Sequence, residues 1–360
     1  MISTARVNRA SSVGSKQVLI MADKTATDPW YAPEDHKWLM VKPAGFTTED
    51  VARLEDLGKP NWGVEYYPGM AANANAYSSY FAAPNGDEYL KKEAAKVGVD
   101  MTVATDDWPF AESFVPLADV FAWKAPANSP VAGQLRYWRT IIMDTVKFSV
   151  VSLLFIVAPL LVWQGSRIKT GGVMNNMVYF AALGAGFMLV EIGLVQKFRL
   201  LVGHPGYTIA VVLASLILFT GIGSAISGPL FERGILNFRR AGFLAAIASI
   251  LSLVLFEVLA PAAVGLPRPW ETGHRILLPA LPGLVLGQLY PQGLSRIPKE
   301  SGSLIPWAMA INAAAGTIAA AAGVVLGYAI GFRGVVLMGA AFYLLIALMP
   351  HGIRKHAPQA

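Results

Sequence analysis

The sequence predicts a polytopic α-helical membrane bundle of six or seven spans, preceded by a small, incomplete α/β soluble domain. Three observations carry that reading. From Ile141 onward, apolar residues come in blocks of about 18–25, long enough to cross a ~30 Å hydrocarbon layer as helices. The composition is 54% hydrophobic and only 14% charged over 360 residues, whereas soluble domains carry about 25% charged residues. Charge is also unevenly divided: residues 1–110 hold 11 Lys/Arg and 15 Asp/Glu, a net of −4, while residues 111–360 hold 18 and 8, a net of +10. The basic pI therefore belongs to short loops between apolar blocks. Loop cations of that kind set membrane topology and meet lipid headgroups, and they argue against nucleic-acid binding.

Within residues 1–110, VLIMAD (Val18–Asp23) reads as a buried strand and KWLMVKP (Lys37–Pro43) as a second strand stopped by proline. A helix follows, capped by Thr47 or Thr48, with Glu49 and Asp50 in its first turn. Val51, Leu54 and Leu57 share one face, and Gly58 follows its end. WGVEYYPG (Trp62–Gly69) reads as a third strand, and a polar helix around Asp87–Val97 is stopped by Gly98. Strand–helix–strand order implies part of a layered α/β domain. So few apolar runs make a thin core, so this domain is expected to need a partner or a further segment.

Residues 111–140 read as a connector ending in Arg136-Tyr137-Trp138-Arg139, a cluster suited to the headgroup level. Spans are expected at 141–163, 176–196, 207–228, 241–264, 275–294, 304–330 and 333–350, followed by a tail at 351–360. Pro279, Pro282 and Pro291 interrupt the fifth, which could be a broken span or a re-entrant segment. With seven crossings and the α/β domain inside, the flanking cations divide seven inside and nine outside; with a re-entrant fifth segment they divide ten and six. The second count favours a cytoplasmic domain, and the number of crossings stays open.

Several residues could carry chemistry. Glu191 lies inside the second span with Gln196 five residues on; Gln288, Tyr290 and Gln292 lie in the fifth and Asn312 in the sixth. Intramembrane carboxylates are costly and face a bundle interior or a wet cavity, so Glu191 is a functional candidate. The structural alternative is a protonated Glu191 hydrogen-bonded to Asn312 or a Gln, locking helices together. Glu257, near a span end, reads as ordinary. Gly316, Ala320, Gly323, Gly327 and Gly331 form a row of small residues at spacings of three or four; such a row is a packing seam inside one subunit or between two copies. In ATDDWPF (Ala104–Phe110), Asp106 and Asp107 could bind a cation or serve acid/base chemistry. Adjacent residues on an extended segment point apart, so a cap and a solvated turn fit better.

Absences bound the chemistry further. No cysteine excludes disulfides, thiolate nucleophiles and Cys-based metal sites, and His36, His204, His274, His351 and His356 include no pair at helical metal-ligand spacing. No G-x-G-x-x-G, G-x-x-x-x-G-K-[ST], G-x-S-x-G or HExxH occurs. The opening MISTARVNRASSVGSKQ has no apolar h-region, so it does not read as a secretory signal; it reads as a lead-in to the first strand, although its Arg/Ser-rich character is also that of a transit peptide.

ATDDWPF followed closely by membrane spans resembles the membrane-fused spermidine synthase-like (polyamine aminopropyltransferase-like) proteins of bacteria. So do GAGFMLVEIGLVQKFRLLVGHPGYTIAVVLASLILFTGIGSAISG (Gly184–Gly228), GQLYPQGLSRI (Gly287–Ile297) and PWAMAINAAAGTIAAAAGVVLGYAIGFRGVVLMGAAFYLLIAL (Pro306–Leu348). The likeness covers most of residues 100–350; residues 15–100 resemble, more loosely, the closing portion of the same catalytic domain. It implies a Rossmann-like C-terminal portion for residues 1–110 and a bacterial inner-membrane location with that portion cytoplasmic. Thr105, Asp106, Asp107, Trp108, Pro109 and Phe110 match the junction, and Glu191, Gln196, His204, Pro205, Pro291 and Asn312 match membrane positions, with no role attached to any of them. The family's glycine-rich cofactor loop and acidic catalytic segment have no counterpart here, so no catalytic residue carries over. The expectation is a membrane-embedded portion that anchors or completes an S-adenosylmethionine-type transferase domain and is not catalytic alone. It would hold no cofactor itself, bind such a ligand only if the missing half is supplied, and partner the lipid bilayer, a separate chain carrying that half, or a second copy of itself. The alternatives are a small-molecule (polyamine-like) transporter with Glu191 as charge partner, and a scaffold subunit of a membrane complex.

Overall fold

The computed structural model describes residues 15–23, 37–100, 105, 107–110, 113, 115, 117–122, 132–159, 162, 171–202, 205–263, 268–297 and 304–349. The chain divides into two compact units, Met1–Tyr137 and Trp138–Ala360.

In the first unit, β1 (Val18–Asp23) lies between β2 (Lys37–Val41) and β3 (Trp62–Tyr66), antiparallel to both. Helix α1 (Thr48–Gly58) links the two outer strands. The side chains of β1 alternate between faces, as strand geometry requires. Val18 and Ile20 pack with Tyr66, Leu39, Tyr77 and Phe81 on the side of α2 (Ala76–Ala82). Leu19 and Met21 pack with Val51, Leu54, Trp62 and Val64 on the side of α1. A three-layer arrangement results from a six-residue strand that is apolar on both faces. Both ladders are antiparallel, so these strands do not by themselves form a doubly wound parallel sheet. Among the described residues no strand pairs with the outer edge of β2, where Trp38 and Val41 are exposed.

The caps follow the sequence closely. Thr47 caps α1 through a reciprocal pair with Asp50. Gly58 is the last helical residue rather than the one beyond, and Lys59 caps the end. α3 (Gly86–Val97) begins at Asn85, whose side chain accepts from the amides of Asp87 and Glu88, and ends at Gly98 with φ of 70°. Two short helices were not legible in the sequence, α2 and α4 (Leu117–Ala122). α2 owes its start to Asn75, whose side chain accepts from the Ser78 amide and donates to the carbonyl of Glu65.

The second unit is a helical bundle. Its first helix, α5 (Ala132–Ser152), begins inside the expected connector and continues through a π-helical stretch, Leu153–Val157. The reason is local: Leu135 and Trp138 are buried one turn apart on a single helical face. α6 (Gly171–Val202), α7 (Pro205–Glu232), α8 (Phe238–Ala263), α9 (Arg268–Ser295) and α10 (Leu304–Leu348) follow. Among the described residues, five helices in this stretch are long and apolar enough to cross a membrane, within Gly133–Val157, Met174–Arg199, Gly206–Glu232, Phe238–Leu259 and Leu304–Leu348.

α10 is two antiparallel arms joined at Gly331, whose φ of 73° and ψ of 164° are non-helical. Contacts along α6 establish the reversal. Gly184 abuts Asn312, Gly316 lies against Met188 and Gly323 against Ile192, so the first arm runs with α6. Gly186 meets Tyr343, Gly339 meets Val190 and Gly193 meets Val336, so the second arm runs against it. Asn312 and Tyr343 would stand about 46 Å apart on a straight helix; here both touch one turn of α6.

The other helices alternate as well. Trp138 packs on Tyr328 with ring centroids 3.9 Å apart, and Thr145 Oγ1 donates to the Ala321 carbonyl, setting α5 against the first arm of α10. Tyr179 meets Phe238 and Phe198 meets Phe256, so α8 runs with α6. Ser252 meets Leu278, while Arg296 lies over Phe238, so α9 runs against α8. The core lies where α6, α7, α8, α9 and the second arm of α10 converge, around Phe180, Val190, Leu194, Phe198, Val212, Leu216, Leu289 and Tyr343.

The prolines of the fifth expected span do not break it. α9 is one continuous helix with Pro279, Pro282 and Pro291 inside. A proline at 282 deprives the Leu278 carbonyl of its helical donor. Ser252 Oγ of α8 donates to that carbonyl at 2.8 Å, the kind of side-chain rescue that lets membrane helices keep proline.

Candidate functional site

The structure disperses the sequence-derived candidates. Glu191 sits on α6 eight residues before Arg199, about 12 Å along the helix axis, and is half-buried. Gln196, five residues on, is rotated by about 140° around the axis, so the two do not share a face. Asn312 lies beside Gly184, seven residues before Glu191, and its Nδ2 donates to the Phe180 carbonyl at 3.2 Å. It therefore ties α6 to α10 without involving Glu191. The lock of Glu191 onto Asn312 is not formed. Among the described residues, Glu191 has no hydrogen-bond or ion-pair partner.

Asp107 belongs to a tight turn. The backbones of Thr105 and Trp108 exchange two hydrogen bonds at 3.1 Å, and Thr105 Oγ1 accepts from the amides of Asp107 and Trp108. Trp108 and Phe110 meet edge to face, ring centroids 5.3 Å apart. Asp106 and His204 lie outside the described residues. Pro205 opens α7 and Pro291 lies inside α9.

Of the small-residue row, Gly316 and Gly323 receive α6 side chains, Gly327 receives the Phe332 ring across the turn, and Gly331 makes the turn itself. These contacts are within one chain. A comparable approach joins α7 and α9, where Gly223 abuts Leu284, Gly287 abuts Thr220 and Gly283 lies against Leu216. Polar side chains follow that seam: Gln292 Nε2 donates to Ser227 Oγ at 3.1 Å, and Gln288 Nε2 donates to the Leu284 carbonyl at 3.0 Å.

The bundle's charged cluster is one that sequence reading missed. Lys197 of α6 is 1% exposed, and its Nζ lies 3.5 Å from Glu257 Oε1 on α8. Arg333, two residues beyond the Gly331 turn, donates from Nε to the same oxygen at 2.5 Å. Three elements are thus tied at one end of the bundle. Counting Lys197 and Arg333 as loop cations concealed this, since Lys197 is enclosed within its helix. A signal was present: with seven alternating spans, Lys197, the end of the fourth span at Glu257, and Arg333 fall on the same side. Chemically the cluster is a structural clasp, in which one carboxylate oxygen bridges two cations from different elements. Among the described residues no group of three His, Asp or Glu could hold a metal ion.

Comparison with known proteins adds no identity: no family model matches the chain, and no curated protein and no solved structure matches it.

Proposed function

We propose that this chain is a multi-pass membrane protein of seven crossings whose helical bundle anchors a small α/β unit that completes a transferase domain with another chain. The reading rests on the three-stranded sheet of Met1–Tyr137. Its central strand is buried on both faces, while among the described residues no strand pairs with the outer edge of β2, where Trp38 is exposed. An open edge carrying apolar side chains is a site for a further strand. The resemblance of the TDDWPF junction and the membrane half to spermidine synthase-like proteins names the partner's chemistry, an S-adenosylmethionine-type aminopropyl- or methyl-transferring domain. The same resemblance is what supports a bacterial inner membrane with the α/β unit cytoplasmic as part of this reading; with seven crossings the flanking cations divide seven against nine and do not decide the side.

The transport reading loses one of its two motives, the broken fifth span, since α9 is continuous, and keeps the other, the polar residues within the spans. The test is a binding measurement on the purified chain with radiolabelled S-adenosylmethionine, paired with crosslinking in native membranes. The isolated chain should retain no label, and a stoichiometric partner should be captured whose complex does. Retention by the isolated chain overturns the requirement for a partner.

A further inference from the structure

Glu191 is a half-buried carboxylate inside a helix that packs against α7, α8, α9 and α10. No group of the described residues balances its charge. On its own helix Lys197 is six residues away, about 9 Å along the axis and 120° around it, and is engaged by Glu257. Arg199 is exposed at the helix end. From the packed helices, α8 contributes Glu257 and α10 contributes Arg333, both in that clasp. Glu232 of α7 and Arg296, just past the end of α9, lie beside the first turns of α6, where Phe238 meets Phe231, Tyr179 and Arg296. An unpaired ionised carboxylate is strongly disfavoured in hydrocarbon, and groups of this kind mark ion or proton sites.

We propose that Glu191 is a binding site for an exchangeable monovalent cation, in its simplest form a proton, that the chain itself does not supply. This goes beyond the anchoring role and does not depend on it. The geometry supporting it is the position of Glu191 within the span, its incomplete burial, the engagement of Lys197 and Arg333 by Glu257, and the exposure of Arg199.

The experiment uses the full chain in lipid vesicles and dicyclohexylcarbodiimide, a lipid-soluble reagent. A carboxylic acid adds its O–H across one N=C bond of the reagent, and the adduct rearranges to a stable N-acylurea. The peptide carrying Glu191 should gain the label at neutral pH and lose it at alkaline pH, and Glu191→Gln should show none at that position. A several-fold loss of labelling with sodium or a small alkylammonium ion identifies that ion as an occupant; unchanged labelling leaves the proton as the occupant. Infrared difference spectra of the wild type against Glu191→Gln give a second reading, in which loss of a carboxylic-acid carbonyl band supports a bound proton. Absence of label across the pH range, with loss of carboxylate bands alone and no response to added cations, means the charge is balanced within the chain and overturns the proposal.

Discussion

At the scale of single residues, the burial of Lys197 makes Glu257 the group whose removal matters most. Breaking a fully buried ion pair from one side costs about 3–5 kcal/mol. Glu257 keeps 30% of its side chain exposed, so Glu257→Gln is expected to lower stability by about 2–3 kcal/mol. Steric-trap unfolding in bicelles measures this, and a Lys197→Met/Glu257→Gln pair should recover part of the loss. Arg333, more than half exposed, is expected to contribute less than about 1 kcal/mol. In the α/β unit the informative group is Asp50. Its hydrogen bond from Lys42, with those from the Thr47 backbone and hydroxyl, holds the carboxyl at about 2 against an ordinary 3.8. A depressed folded value stabilises above the unfolded one. The contribution is therefore whole above about pH 4 and disappears as pH falls through about 2. Carboxyl NMR of Asp50 checks the midpoint, and Asp50→Asn should flatten that part of the acid-unfolding curve.

Among elements, the turn at Gly331 and the α6–α10 seam set the tightest constraints. The φ/ψ pair of Gly331 belongs to a region that only glycine occupies freely, so Gly331→Ala is expected to cost about 1–3 kcal/mol. A Cβ at Gly184 would run into the Asn312 backbone, and Gly184→Ala is expected to cost a similar amount, about 1–3 kcal/mol, by overpacking. Ser252→Ala should cost about 0.5–2 kcal/mol by orphaning the Leu278 carbonyl. Thermal unfolding of the three variants in one detergent ranks these effects. The pattern of apolar blocks located the helices and divided 304–330 from 333–350 at the observed turn, because span length and glycine are local signals. In the α/β unit, strand boundaries and the Thr47 cap were equally local. The continuity of α9 was hidden, since the donor that offsets Pro282 comes from Ser252 on another helix. The clasp was hidden for the same reason: Lys197, Glu257 and Arg333 are 60 or more positions apart in sequence and meet only through the helix arrangement. Glu191 was legible as a candidate, but its lack of a partner was not.

For the whole molecule, the proposed topology takes each of the alternating helix directions from α5 to the second arm of α10 as one crossing, which makes seven, an odd number. The α/β unit and the stretch after Met349 should therefore lie on opposite faces of the membrane. Accessibility of single cysteines introduced at position 85 and at position 355 to an impermeant maleimide in sealed vesicles tests this. Labelling of both from the same side removes one pass.

The packing partners of α6 also fix an order of assembly. Its two long grooves are filled by the arms of α10, the last helices to emerge from the ribosome, and α7 finds its closest mate only when α9 has been made. Neighbours in the chain are not the principal neighbours in space. A nascent chain halted before Leu304 would hold α6 in lipid with its glycine faces open, a state in which quality-control proteases should find it.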